Sequence, residues 1–522
     1  MKYAGVFFIF IAAILLLYWL IHASWTGKTK ALPQLNHEPE KPVIVIIVDS
    51  LMDVPLQNAM KTGQTPAMEF LIENGSYEPN VVSGFPTMSV SLDSTLLTGK
   101  YPDEHKVPAL VWFNQKENQF VSYGSARSEI MKVGVTKILE NSLYHLNNTH
   151  LSKGVKTIHE DMNEAGLQTA SINALMYRAN TEKEFNFPWF FNPLSKDQQI
   201  KAPDFFSFGI LSKYKKGNKH THAWKGFGIN DTFAAEELSY LIEQNKLPSF
   251  SLVYFSNNDK KVHKKGIQET QGIIDADKEL QKVLNTYPSW SEAIKSNIWV
   301  VMGDSGQTAV LNEKETALID LRSILNNYQI YEISKPIQKD DQIVLGLNER
   351  MSFIYLLDSQ IQRNYVIDQL KTDNRIANIS WQDGERIRVI SPDSSSGLSF
   401  KRGGPLKDCY DQTWTVEGNL AVLDLTIQAD GILGYHDYPD GLERLYTSFH
   451  SHEGEFLIVN AKPGYEFIGE GSPTHIGGGS HGSLHKQDTL FPMIIAGTDS
   501  KPKYNRIVDL KEWFMSLANP NK

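Results

Sequence analysis

The 522-residue chain sets 51 Lys and Arg against 60 Asp and Glu, a formal net charge of −9, so it lacks the positive field that holds nucleic acid, and no nucleic-acid binding is expected. Its length is enough for a large buried core, in one big domain with insertions or in two to three smaller ones. A single cysteine, Cys409, excludes an intrachain disulfide and a thiolate-built metal cluster, which leaves His and carboxylate as the available metal ligands.

The chain opens on an almost unbroken apolar run from about Ala4 to Ala23, close to the roughly 20 residues a helix needs to cross a bilayer. That is long for a signal peptide, and no small-x-small cleavage pattern is convincing near His22 to Ser24. An uncleaved membrane signal-anchor is therefore expected over 1–25. A polar linker follows over 26–41, and the remaining 42–522 is expected outside the cytoplasm, because a short tail followed at once by an apolar run is how exported chains begin.

"PVIVIIVDS" then reads as a strand buried on both faces, the mark of a parallel sheet. "TPAMEFLIENGS" has helical periodicity with a Gly stop, and "VKTIHEDMNEAGLQTASINAL" repeats the order of helix, Gly and short strand. "PSFSLVYFSNND" and "SNIWVVMGDSG" are two more apolar runs of strand length. This alternation predicts an α/β fold, a mostly parallel sheet with helices on both faces. Two stretches fit it poorly and are expected as insertions: about 117–245, with the aromatic cluster Phe185 to Phe191, and about 326–433, a smaller α+β unit. The chain is expected to return to the core with "GEFLIVNAKPGYEF" and "LFPMIIAG".

Three apolar strands are followed by an aspartate: Asp49, Asp259 and Asp304. Ligands of an open parallel sheet bind outside the carboxyl ends of its strands, and three carboxylates meeting there repel one another and call for a cation. His263 lies four residues after Asp259, which on a helical turn puts both side chains on one face. His481 stands in the Gly-rich "IGGGSHG", where backbone approaches a site closely. A Zn²⁺ held by Asp and His suits hydrolytic chemistry. The stretch "FPTMSVSLDSTLLTG" sets five hydroxyls, Thr87, Ser89, Ser91, Ser94 and Thr95, within ten residues, just before and within an expected helix from about Val90. A hydroxyl at a helix N-terminus is favoured as an alkoxide, but the stretch alone does not choose among the five.

These pieces, "VIIVDS", "TPAMEFLIENG", "FPTMSVSLDSTLLTGKYPDEH", "NNDKKVHKKG", "VMGDSGQ" and "GGSHGSLHKQD", in this order, resemble the nucleotide pyrophosphatase/phosphodiesterase branch of the alkaline phosphatase superfamily. The resemblance implies an alkaline-phosphatase-like core and two divalent metal ions, expected to be Zn²⁺. One would be held by Asp259, His263 and His481, the other by Asp49, Asp304 and the nucleophile oxygen. Register to the family's P-T-x-[TS] motif puts the nucleophile on Ser89, which would form a covalent phosphoryl enzyme acting on a phosphoester substrate.

The sequence departs from the family in two places. The family's Asp-His-Gly is here Asp304-Ser305-Gly306, which removes a histidine ligand from the second metal; His475 and His485 are the nearby histidines that could replace it. The phosphate-binding Asn of the diesterases falls on Leu110, with Asn114 the nearest asparagine. Open alternatives are a phosphatase, a phosphoryl or phosphoglycerol transferase of the same superfamily, and a binding protein that keeps the fold without turnover.

Overall fold

A computed structural model describes residues 28–187, 192–195, 198–429 and 431–519. The predicted anchor over 1–25 lies outside the described residues, as does part of the aromatic cluster, 188–191. Among the described residues, no helix is long and apolar enough to cross a membrane.

The central sheet has seven strands: β1 (Val43–Val48), β2 (Gly75–Val82), β3 (Thr169–Ile172), β4 (Phe205–Ser207), β5 (Phe250–Phe255), β6 (Ile298–Met302) and β7 (Leu490–Ala496). Their order is β2-β7-β6-β1-β5-β3-β4. β1 lies at the middle, parallel to β6 on one side and β5 on the other, and β7 is antiparallel to both its neighbours. Every residue of β1 is buried. Val43, Val45 and Ile47 pack into one apolar core, and Ile44, Ile46 and Val48 into a second on the opposite face. That is why the run shows no polar alternation.

β3 and β4 correct the expected insertion at 117–245, since both strands belong to the central sheet. They are short, and only β3 follows a helix-Gly signal. Phe185 and Phe187 pack around Tyr177, Phe206 and Phe208 in a small apolar cluster.

A second sheet of nine strands spans residues 343–461. Phe456–Ala461 pairs antiparallel with Met351–Leu356 and Ile376–Asp383, so "GEFLIVNA" belongs to this sheet rather than to the central core. A buried β-branched run reads alike in either sheet, and only the register of its partners separates them. The hairpin from Ile343–Asn348 to Met351–Leu356 turns through Glu349 and Arg350, with Glu349 at φ +57°. Left-handed backbone is costly for a residue with a Cβ and is kept where the surroundings impose it.

Candidate active site

The site lies outside the carboxyl ends of β1, β5 and β6. After β1 the Asp49 N–H donates to Phe255 O at 2.9 Å, extending the parallel ladder by one bond. Ser50 follows at φ +55° and bridges two predicted ligands. Its N–H donates to Asp304 Oδ1 at 3.0 Å and its hydroxyl to Asp259 Oδ1 at 2.9 Å. Gln307 adds a bond from Nε2 to Asp259 Oδ1 at 2.7 Å. Asp304 follows β6 with one residue between, and the Tyr254 hydroxyl of β5 lies 3.3 Å from its Oδ2.

After β5 the chain enters α2 (Asn257–Lys265), following α1 (Ser89–Thr98) in chain order. Asp259 thus stands in the first turn of α2 rather than at the strand end, with His263 one turn later on the same face. His263 Nε2 lies 3.1 Å from Asp259 Oδ1, and its Nδ1 faces Gly479 O at 2.8 Å. This fit needs glycine in the facing loop: a Cβ on Gly478 would lie 1.9 Å from the His263 carbonyl oxygen. His481 Nε2 reaches to 3.8 Å from the same Asp259 oxygen, while its Nδ1 is paired with Thr87 O. The ligand atoms of Asp259, His263 and His481 all lie within 4.8 Å of one another. Bonds of about 2.0–2.2 Å to a tetrahedral ion need ligand atoms about 3.3–3.6 Å apart, so this trio fits a metal with small adjustments.

The second expected ligand set fits less well. Asp49 and Asp304 belong to no group of three His, Cys, Asp or Glu ligand atoms of this kind among the described residues, and Ser305 leaves that side with oxygen donors only. Neither replacement histidine joins it. His485 Nε2 lies 4.0 Å from Asp437 and its Nδ1 caps Gln487. His475 stacks on His263, with ring centroids 4.2 Å apart, on the side of the first trio.

Ser89 is the first residue of α1 and is partly exposed where the next nine residues are buried. The other four hydroxyls are committed. Thr87 Oγ1 accepts from Gly482 N–H at 2.7 Å, and Ser91, Ser94 and Thr95 donate to the carbonyls of Val107, Val90 and Ser91. The Ser89 hydroxyl meets instead the Tyr254 hydroxyl, which also touches Asp49. Asn114 ends the strand Val111–Asn114, and its Oδ1 accepts from Glu117 N–H at 3.2 Å.

The electrostatics divide the crevice. Burial, reinforced by Asp304 and Asp259, pushes the Asp49 carboxyl well above the usual carboxylate range. Asp304 rises as well, with burial leading. Asp93, one turn after Ser89 on α1, rises through burial and then Asp304. On the other side burial would raise Asp259, but the His263 charge beside it, with help from His481 and Ser50, carries it below its ordinary value. Burial would lower His263, and Asp259 and Glu349 outweigh it, pushing His263 up to about 10. Crowded carboxylates on one side and imidazoles held by carboxylates on the other make a site suited to a cation.

Sequence reasoning missed Ser50, Tyr254, Asp93, Gln307 and Glu349. Asp93 had a usable signal, since it stands at i+4 from Ser89. Glu349 had none, because it reads as ordinary turn chemistry between two strands.

The family model described as type I phosphodiesterase / nucleotide pyrophosphatase matches residues 43–484. No curated protein matches the sequence significantly. Among solved structures, murine ectonucleotide pyrophosphatase/phosphodiesterase 5 superposes with a TM-score of 0.55 at 13% identity, covering 92% of this chain and 95% of that one. The human form of that protein gives 0.53, also at 13% identity, with the same coverage of 92% and 95%. Phosphonoacetate hydrolase from Sinorhizobium meliloti gives 0.52 at 13% identity, covering 94% of this chain and 100% of that one. At such identities the structures speak for the fold, and the family model, spanning most of the chain, speaks for descent: the chain belongs to the type I phosphodiesterase/nucleotide pyrophosphatase family, phosphoric ester hydrolases of the alkaline phosphatase superfamily.

Proposed function

We propose that this protein is a metal-dependent phosphodiesterase or nucleotide pyrophosphatase that works through a phosphoryl-Ser89 intermediate. The observation that carries the reading is the position of Ser89. It is the one hydroxyl of five not committed to backbone, it opens a buried ten-residue helix, and it faces the Asp49–Asp304–Tyr254 side of the crevice. One murine relative was solved in complex with AMP, which favours a nucleotide-type diester as substrate class. On the same reading, residues 1–25 tether the enzyme to a membrane with its catalytic domain outside the cytoplasm.

Asp259, His263 and His481 would hold a divalent ion, with Zn²⁺ the best match to one carboxylate and two imidazoles. When bound, such an ion supplies Lewis-acid stabilisation of phosphoryl charge and lowers the pKa of coordinated oxygen. The chain's own residues do the rest. The first-turn N–H groups of α1 favour anionic phosphoryl oxygens over Ser89. The Ser89 Oγ–P bond forms as the bond from phosphorus to the leaving alcohol breaks, and that alcohol departs with a proton. Water then attacks phosphorus, the Oγ–P bond breaks, and Ser89 recovers its proton. Tyr254 holds the hydroxyl in place between Asp49 and Asp304.

Turnover of an aryl phosphodiester and an aryl phosphomonoester by the Zn²⁺-loaded protein tests the reading. The diester should be the better substrate, and Ser89→Ala should lower its turnover about 10³-fold or more with Zn²⁺ still bound. Absence of turnover of either ester in protein shown to hold Zn²⁺ refutes it.

A further inference from the structure

Beside the Asp259–His263–His481 trio lies a second group that the family's motifs do not include. The ligand atoms of His263, Glu349 and His475 also fall within 4.8 Å of one another. Glu349 Oε1 is 3.9 Å from His263 Nε2, and Glu349 Oε2 is 3.8 Å from His475 Nδ1. The strained turn conformation of Glu349 brings its carboxylate here. It accepts from the Ser480 hydroxyl at 2.8 Å and from the His481 N–H at 3.2 Å, which fixes its direction.

His475 is prepared as a metal-binding histidine is. Its Nδ1 meets Glu466 Oε2 at 2.9 Å, and Glu466 Oε1 accepts the His475 backbone N–H at 2.6 Å. Glu466 itself is fully buried. The same Nδ1 also faces Glu349 Oε2 at 3.8 Å, so it lies between two carboxylates, and the ring's Nε2 is the nitrogen left for an ion. His263 and His481 show the same design, each with Nδ1 on a backbone carbonyl. Three histidines around one crevice are therefore oriented alike, and the trio accounts for two of them.

We propose that Glu349 and His475 form a second cation position of the metal centre, beside the Asp259–His263–His481 trio. This rests on the reading of that trio as a metal site. It supplies the centre with an imidazole donor on this side, where Ser305 has removed one from the Asp49–Asp304 side. A carboxylate and an imidazole suit Zn²⁺ or a similar borderline divalent ion. His263 has one nitrogen to give, because its Nδ1 is committed to Gly479 O, and it serves one ion at a time. With the trio filled, the outer ion rests on Glu349, His475 and water, and is the more weakly bound of the two.

The test is Zn²⁺ titration of the full-length protein by calorimetry and elemental analysis, with anomalous scattering from crystals of the Zn²⁺ form. Wild type should show one tight and one weaker equivalent, with an anomalous peak between Glu349 and His475. His475→Ala should lose the weaker equivalent and keep the tight one. Glu349→Gln, which keeps size and turn shape, should weaken the outer equivalent at least tenfold. Unchanged stoichiometry and affinity in both variants, or no peak at that position, overturns the proposal. A protein that turns over diesters with zinc only at the trio would refute this position and leave the hydrolase standing. Zinc bound at both positions without turnover would do the reverse.

Discussion

Four of the five hydroxyls between Thr87 and Thr95 are held by backbone groups, and the fifth, Ser89, is left for chemistry. The sequence alone could not separate them, because any Ser or Thr near a buried helix can bond a nearby backbone group, as Ser94 and Thr95 do to the carbonyls four residues back. Family register chose Ser89, and hydrogen bonding supplies the physical reason. His263 carries a pH prediction of its own. Its folded pKa, up to about 10 because Asp259 and Glu349 outweigh burial, keeps it protonated at neutral pH, and a metal ligand must be neutral. Zinc binding at pH 7 should therefore release about one proton from His263, and affinity should rise with pH up to about 10. Calorimetry in buffers of different ionisation enthalpy reads this directly, and a proton release of zero contradicts it. Asp259 and His263 were legible because i,i+4 spacing is a local property of a helix. Glu349 and Ser50 were not, since each contributes through a left-handed backbone conformation and through partners distant in sequence, such as Ser480, 131 residues from Glu349, and Asp259, 209 residues from Ser50.

Among the elements, β1 was readable because burial on both faces leaves a continuous apolar run. The strand Phe456–Ala461 is just as apolar and reads as central-sheet core, because hydrophobicity reports burial and not the identity of a neighbour. β3 and β4, of four and three residues, carried too little pattern to show that 117–245 contributes to the core. The turn bearing Glu349 is anchored by its other residue. Arg350 is fully buried, its Nε lies 3.0 Å from Asp488 Oδ2, and its guanidinium donates to the carbonyls of Lys462, Tyr465 and Ala461. Its N–H donates to His481 O at 2.9 Å, which ties the turn to the metal-ligand loop. Asp488→Asn should destabilise the fold by about 3–5 kcal/mol, because the guanidinium charge is left buried without its counter-ion. Chemical denaturation checks this, and a change below about 1 kcal/mol would contradict it.

At the scale of the whole molecule, the site lies where the two sheets meet. The central sheet supplies Asp49, Asp304 and, through the helices that follow its strands, Ser89, Asp259 and His263. The hairpin of the second sheet supplies Glu349, and the Gly-rich loop carries His475 and His481 between them. The α/β class and the ligand-bearing motifs of the central sheet were legible, since each combines an apolar strand with a polar residue just beyond it. The share of the second sheet was not, because it depends on how two separately built layers dock. Whether Ser89 attacks phosphorus is read by covalent trapping. The Zn²⁺-loaded protein is mixed with an aryl phosphodiester, quenched in acid during turnover, digested and analysed by peptide mass spectrometry. The predicted result is an arylphosphoryl group on Ser89, absent from Ser89→Ala. Turnover that proceeds with Ser89 unlabelled, or with the label on Thr87 or Ser91, would contradict the account.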